Sequence, residues 1–234
     1  MARSKLSKGF FGDLDKNTWK NIVNSIETLR NIYQLGNLII SLGTIWILRR
    51  LILKFGHKAN IILEIGVGPG TFIKLLNKIP NKIVLGVEPS PIMAYYSRRI
   101  NQNIVIGVAE KLPFRDSSVD LIYCVFSFRD FFNKSLFIKE AFRVLRKNGR
   151  VVILDTNNPN SLSSRIFHRF IEVAGKILSF LFRKKNNLYV GLRKSIELMK
   201  NVEHYSELFK KIGFRYVCYR KYLMGNAFIL VALK

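Results

Sequence analysis

The stretch Ile61-Ile62-Leu63-Glu64-Ile65-Gly66-Val67-Gly68-Pro69-Gly70-Thr71 decides the fold of this chain. Its apolar run ends in three glycines at alternate positions, and an amphipathic segment, Phe72–Leu76, follows directly. This order predicts a buried strand, a tight turn and then a helix. Glycines permit positive φ and close approach of a ligand, and a helix start offers free N–H groups and a positive dipole end. The stretch is therefore typical of a nucleotide-binding turn.

Strand and helix patterns alternate after this turn. Strands are predicted at Ile61–Ile65, Ile83–Val87, Ile104–Ile106, Val119–Phe126 and Val151–Leu154, with helices at Thr71–Lys78, Pro91–Asn101 and Lys134–Arg146. The last helix is predicted to end at Asn148-Gly149. Such alternation predicts an α/β fold with a mostly parallel sheet, helices on both faces, and a ligand site at the carboxyl ends of the strands. A helix near Val202–Ile212, then strands at Phe214–Tyr222 and Ala227–Ala232, predict a hairpin at the sheet edge.

The flanking regions predict additions to this α/β core. Residues 1–57 are basic and show helical spacing, which predicts a helical cap on a domain covering 58–234. A helical insertion is expected at about 160–200. Within it, polar residues recur at helical spacing from Ser164 to Arg183, the pattern of an interfacial helix or of an ordinary surface helix.

The composition is that of a strongly basic globular protein. In 234 residues, 39 Lys and Arg stand against 15 Asp and Glu, a formal net charge of +24. This charge favours polyanionic partners, either nucleic acid or an anionic membrane surface. The two cysteines have neither metal-ligand nor disulfide spacing, so we expect no metal site. The N-terminus lacks the apolar region of a secretory signal, and Asn31–Leu48 falls short of the roughly 20 apolar residues of a spanning helix, so a cytoplasmic location is predicted.

The glycine turn alone does not identify the nucleotide. A dinucleotide fingerprint has the pattern G-x-G-x-x-G, whereas this turn has G-x-G-x-G with Thr71 at the place of the third glycine. Glu88 follows the next strand, 22 residues after Gly66, where a carboxylate can accept hydrogen bonds from ribose hydroxyls. NAD(H) would use both features in the same way, so they leave the cofactor open.

Further motifs separate the possibilities. Glu64 precedes the first glycine by two residues, Ala109-Glu110-Lys111-Leu112-Pro113-Phe114 follows the third strand, and Phe142–Arg150 closes the fourth helix. With these motifs the chain resembles the class I S-adenosylmethionine (SAM)-dependent methyltransferases. The resemblance implies a Rossmann-like seven-stranded sheet whose last two strands form an antiparallel hairpin, and SAM as the cofactor.

A second set of residues is similar to the ubiquinone/menaquinone biosynthesis C-methyltransferases. The set comprises Asn31–Gly43, Trp46, Arg49-Arg50, Phe128-Arg129-Asp130, Tyr189, Ser195-Ile196 and Ile212-Gly213-Phe214. The chain departs from that family at Gln34 and Asp130, where the family carries Asp and Asn. Val108 stands where the family carries an Asp expected to accept from the adenine amino group, and Asn148 and Arg150 depart from a Lys-Pro-Gly-Gly.

The resemblance implies roles for individual residues. Those expected around the cofactor are Glu64 at the methionine end, Gly66, Val67, Gly68, Gly70, Glu88 on the ribose, and Val108, Ala109, Glu110 and Phe126. A quinol acceptor would need its hydroxyl deprotonated, with Arg129 stabilising the phenolate and Asp130 or a water taking the proton. Candidates for lining the acceptor pocket are Tyr33, His168 and Tyr189.

Three functions remain open at this point. A prenylated quinol, a small lipid-like substrate, would explain the basic charge and the amphipathic helix through attachment to a membrane surface. An RNA methyltransferase is the alternative because +24 also fits a phosphate backbone. Against it, Phe126–Arg129 stands where amino-methylating base enzymes carry Asn/Asp-Pro-Pro-aromatic. The third is a non-catalytic, membrane-associated SAM-binding protein, and the oligomeric state stays open under all three.

Overall fold

The computed structural model describes residues 43–157 and 195–234, together with Arg165, Arg169, Glu172 and Val173. Tyr33, His168 and Tyr189 lie outside the described residues, as do most of the predicted cap and insertion. Arg165 and Arg169 are helical and exposed.

Seven strands form one mixed sheet in the order β3-β2-β1-β4-β5-β7-β6. Their bounds are β1 Ile61–Ile65, β2 Ile83–Glu88, β3 Ile104–Ile106, β4 Val119–Val125, β5 Leu145–Thr156, β6 Tyr216–Tyr222 and β7 Ala227–Leu233. The first five strands are parallel, and β7 runs antiparallel to both β5 and β6. The predicted seven-stranded fold with a closing hairpin is confirmed.

Helices cover both faces of the sheet. The helices are α1 Thr44–Leu53, α2 Ile73–Leu76, α3 Pro91–Ser97, α4 Lys134–Val144 and α5 Val202–Ile212. Side chains alternate along each strand, so neighbours enter different cores: Ile122 packs with α4 and α5, whereas Tyr123 packs with α1, α2 and α3. No helix among the described residues is long and apolar enough to cross a bilayer.

The boundary between α4 and β5 differs from the prediction. The helix ends at Val144, and Leu145 is already extended and pairs with Val119, so β5 begins six residues before the predicted Val151. A register shift between Val119 and Leu121 accommodates the polar residues of this part of the strand. Asn148-Gly149 therefore lies inside the strand, and its predicted role as the helix stop is wrong.

Candidate active site

The glycine turn joins β1 to α2 at the carboxyl edge of the parallel strands. Gly66, Gly68 and Gly70 have φ of 72°, 56° and 84°, the left-handed region that glycine adopts without a steric penalty. The backbone N–H of Gly66 donates to Val87 O at 2.8 Å, which fixes the turn against β2. The predicted strand, turn and helix are thus present in that order.

The three glycines differ in what surrounds them. A Cβ on Gly66 would collide with the Cβ of Ser127 at the end of β4, and one on Gly70 would meet Ile100 Cδ1 at 2.6 Å. A Cβ on Gly68 would meet no atom within 4 Å. Gly66 and Gly70 therefore permit close packing within the protein, whereas Gly68 leaves its side of the turn open to a ligand.

Glu88 ties this turn to the next helix. Its side chain is 5% exposed, and its Oε2 accepts from the Gly68 N–H at 2.7 Å while Oε1 accepts from the Ser90 N–H at 3.0 Å. Ser90 in turn caps α3 by accepting from Met93 N at 3.1 Å. The carboxylate predicted to bind ribose thus also holds the shape of the site, and its remaining lone pairs are what it can offer a ligand.

A cavity of about 680 Å³ opens beside the turn, within the size range of small-molecule sites. Its lining includes seven of the ten residues predicted to surround the cofactor: Gly66, Gly68, Glu88, Val108, Ala109, Glu110 and Phe126. Glu64, Val67 and Gly70 are not in this lining. The sequence analysis missed Ser90, Met93, Ser127 and Phe131, although Ser90 and Ser127 each come two residues after a strand and could have been found from that position.

Glu64 lies behind the turn in a buried setting. It is 2% exposed, and its Oε2 has no hydrogen-bond partner among the described residues. Burial raises the pKa of Glu64 well above its ordinary value; Arg49 opposes this rise and Glu88 adds to it. Arg49 comes from α1, so the helix preceding the sheet supplies the positive charge nearest this carboxyl group.

Phe126 is held in a strained conformation at the cavity wall. Its φ of 59° lies in the left-handed region, which is costly for a bulky side chain. Its backbone N–H donates to Leu154 O at 2.7 Å, and the Arg49 guanidinium lies 5.9 Å from its ring. The end of β4 is thus turned sharply at the position where the cavity begins.

The predicted adenine-side residues are uneven in character. Val108 is 37% exposed, and Ala109 is buried. Glu110 Oε1 accepts from the Asn133 N–H at 2.9 Å, just before α4. One oxygen of Glu110 is therefore committed to the fold, and Val108 offers only its backbone groups to a ligand.

The predicted catalytic pair belongs to a buried charged cluster. Arg129, 6% exposed, donates from Nη1 to Asp155 Oδ1 at 2.9 Å and from its backbone N–H to Asp155 Oδ2 at 3.0 Å. Its Nη2 lies 3.6 Å from Asp130 Oδ2. Lys134 Nζ donates to the carbonyl oxygens of Arg129 and Phe131, each at 3.2 Å. Of these charged residues, only Asp130 lines the cavity.

Comparison with known proteins agrees with this geometry. Residues 63–153 match the family model described as a methyltransferase domain. The chain is 28% identical over 182 residues to the demethylmenaquinone methyltransferase of Chlorobaculum tepidum, covering 76% of this chain and 75% of that protein. It is 28% identical over 204 residues to the demethylmenaquinone methyltransferase of Thermotoga maritima, covering 84% and 89%.

Solved structures show the same fold. A SAM-dependent methyltransferase of Thermotoga maritima, described as a possible histamine N-methyltransferase, superposes with a TM-score of 0.64 at 22% identity, covering 90% of this chain and 99% of that chain. The chain is a class I SAM-dependent methyltransferase. A SAM-dependent methyltransferase of Archaeoglobus fulgidus superposes with a TM-score of 0.63 at 14% identity, covering 86% and 100%.

The site of this methyltransferase fits its cofactor. Gly68 leaves open space over the turn, the Glu88 carboxylate lines the cavity, and Glu64 has a buried oxygen without a hydrogen-bond partner. A zwitterionic amino acid joined to a nucleoside needs such features: close backbone approach, an acceptor for ribose hydroxyls and an acceptor for an ammonium group.

Proposed function

We propose that this methyltransferase acts on a ring carbon of a prenylated quinol at a membrane surface. The observation that carries the proposal is Asp130, a carboxylate at the wall of a cavity that also includes Phe126, Phe131 and Met93. An aromatic acceptor with an ionisable hydroxyl suits such a wall. The similarity to demethylmenaquinone methyltransferases of two bacteria, over three quarters or more of the chain, supports this substrate class.

Asp130 would act as the general base. A quinol ring carbon becomes nucleophilic when a neighbouring hydroxyl loses its proton, and Asp130 Oδ1, with no hydrogen-bond partner among the described residues, is available to accept that proton. Burial raises the pKa of Asp130; Arg129 opposes the rise and Asp155 adds to it. A raised pKa makes the carboxylate a stronger base for a phenolic proton.

Arg129 would be a positioning residue. Its guanidinium is held by Asp155 at 2.9 Å and lies 3.6 Å from Asp130, behind the cavity wall. From there it orients the carboxylate, and its positive charge favours a phenolate at the cavity without touching it. The role of phenolate stabiliser expected from the sequence would therefore be exerted at a distance.

The cofactor would lie against the glycine turn. SAM supplies an electrophilic methyl group when bound. Gly66 and Gly68 would allow the backbone to approach it, Glu88 would accept from its ribose, and Glu64 would face its methionine end. Val108, Ala109 and Phe126 would exclude water from the adenine and acceptor sides of the cavity.

Radiolabelled SAM tests the substrate class. The purified chain is incubated with demethylated quinol in detergent, with bacterial lipid extract and with total RNA, and the label is followed into each fraction. We expect label in the quinol and in the lipid extract. Label in RNA alone would establish the alternative that the net charge of +24 also fits.

The variant Asp130→Asn tests the base. It should fold, because the resembled family carries Asn at this position and the amide is nearly isosteric. We expect kcat to fall by roughly 10²–10⁴ and the rising limb of the pH–rate profile to disappear. An unchanged kcat with the same profile would show that Asp130 only orients the acceptor, as an amide can.

A further inference from the structure

The turn between β6 and β7 combines backbone strain with an exposed apolar side chain. Leu223, Met224 and Gly225, called the hairpin tip below, have φ of 53°, 52° and 93°. Met224 is 81% exposed. Two successive L-residues with large side chains in the left-handed region are unusual, because their Cβ atoms crowd the following carbonyl.

Hydrogen bonds hold the hairpin tip in this conformation. The Asn226 N–H donates to Leu223 O at 3.0 Å, and Asn157 Nδ2 donates to Gly225 O at 2.9 Å. Asn157 Oδ1 also accepts from the Val202 N–H at 3.0 Å, which ties the tip to the start of α5. The turn is therefore built rigidly and at a cost in backbone strain.

Folding does not account for methionine at this place. Asn or Gly would adopt the same φ with less strain, and a side chain that is 81% exposed buries little area in the core. Strain retained together with an exposed apolar side chain points to a contact made outside the fold.

The hairpin tip lies at the same edge of the sheet as the cavity. Ala227 pairs with Thr156, the last residue of β5, and that is the carboxyl edge of the parallel strands. The helix α1 also begins at this edge, since the Arg49 guanidinium lies 5.9 Å from the ring of Phe126. Near its start α1 exposes Ile47 at 68% and Trp46 at 38%. Two separate apolar exposures thus flank one edge of the sheet.

Basic side chains accompany both exposures. Arg220 lies on the hairpin with its guanidinium 5.7 Å from the Tyr222 ring, and the exposed Arg50 follows on α1. Apolar tips beside arginines, in a chain of net charge +24, complement a surface that is apolar inside and anionic outside. We propose that the hairpin tip and the start of α1 dock on an anionic lipid bilayer. This inference rests on the proposed function, because the bilayer would hold the acceptor.

Flotation of the full chain with lipid vesicles tests the hairpin tip. The vesicles are equal parts phosphatidylglycerol and phosphatidylcholine, with pure phosphatidylcholine as the neutral comparison. Met224→Asn removes the apolar side chain, and asparagine tolerates positive φ, so the variant should fold at least as well as the natural chain. Tyr216→Asn is the matched control, because Tyr216 is 72% exposed at the opposite end of β6.

We expect Met224→Asn to partition onto anionic vesicles roughly tenfold more weakly than the natural chain, and Tyr216→Asn to partition normally. Equal flotation of Met224→Asn and the natural chain would overturn the proposal, as would a loss of RNA binding without a loss of vesicle binding. Methyl transfer to quinol in detergent separates this result from the proposed function. A chain that floats through its hairpin tip but methylates no quinol contradicts only the substrate, and one that methylates quinol but ignores the Met224 substitution contradicts only the docking surface.

Discussion

Replacing Gly68 by alanine separates ligand space from backbone strain. The φ of Gly68 is 56°, and an added Cβ would meet no protein atom within 4 Å, so the substitution adds left-handed strain and no clash with the protein. That strain amounts to about 1–2 kcal/mol. For a domain of this size we expect the melting temperature to fall by roughly 2–8 °C. The new methyl group stands in the space that the cofactor needs, and overpacking of this order costs about 1–3 kcal/mol of binding, a ten- to hundredfold loss of SAM affinity.

Gly43→Ala is the control for this substitution. Gly43 has φ of 78°, has nothing within 4 Å of its added Cβ, and lies before α1 outside the cavity lining. Both variants should lose similar stability in thermal unfolding, and isothermal titration calorimetry should show weakened SAM binding only in Gly68→Ala. Equal SAM affinities in the two variants would refute the placement of the cofactor over Gly68. Gly66→Ala cannot replace this test, because its Cβ would collide with Ser127 and damage the turn itself.

Two substitutions of buried carboxylates have opposite expected effects on stability. The folded-state pKa of Glu64 is raised, so its ionisation destabilises the fold as pH rises above the unfolded value of about 4.3; Glu64→Gln should melt like the natural chain at pH 4 and increasingly higher toward pH 8, while binding SAM more weakly. A difference in melting temperature that does not grow with pH would contradict this. Asp155→Asn leaves the buried Arg129 charge without its 2.9 Å partner and should cost about 3–5 kcal/mol in urea unfolding, whereas a loss below 1 kcal/mol would show that the pair is not needed for the fold.

Local signals made much of the fold predictable. The helix α5 spans the predicted Val202–Ile212 because both its ends are written in the sequence: Asn201 accepts from His204 N at 3.2 Å, and Gly213 ends the helix with φ of 119°. The start of β5 could not be predicted in the same way. Leu145 is extended because it pairs with Val119 across the sheet, and the polar residues between them give no period-2 pattern.

The cavity was predictable where the chain is continuous and not where distant residues meet. Glycines and Glu88 follow consecutive strands, so their positions at one edge follow from the topology. The partner of Arg129 is Asp155, on the next strand and 26 residues away, inside an apolar run whose side-chain directions depend on an unseen register shift. The proximity of Arg49 to Glu64 likewise depends on how α1 packs, which local patterns do not contain.

Val108 offers the last prediction, a gain of binding. The resembled family carries Asp here, where its carboxylate is expected to accept from the adenine amino group. Glu110 is poorly placed to replace it, because its Oε1 already accepts from the Asn133 N–H at 2.9 Å. Val108 is 37% exposed, so a carboxylate there stays hydrated and costs the fold little. Val108→Asp should therefore tighten SAM binding by about 1 kcal/mol, roughly fivefold, in calorimetry. Val108→Asn, which has a similar shape without the charge, should gain less. If Val108→Asp binds SAM no better than the natural chain, the adenine of this enzyme is held by backbone groups, and the missing carboxylate marks a different arrangement of the site.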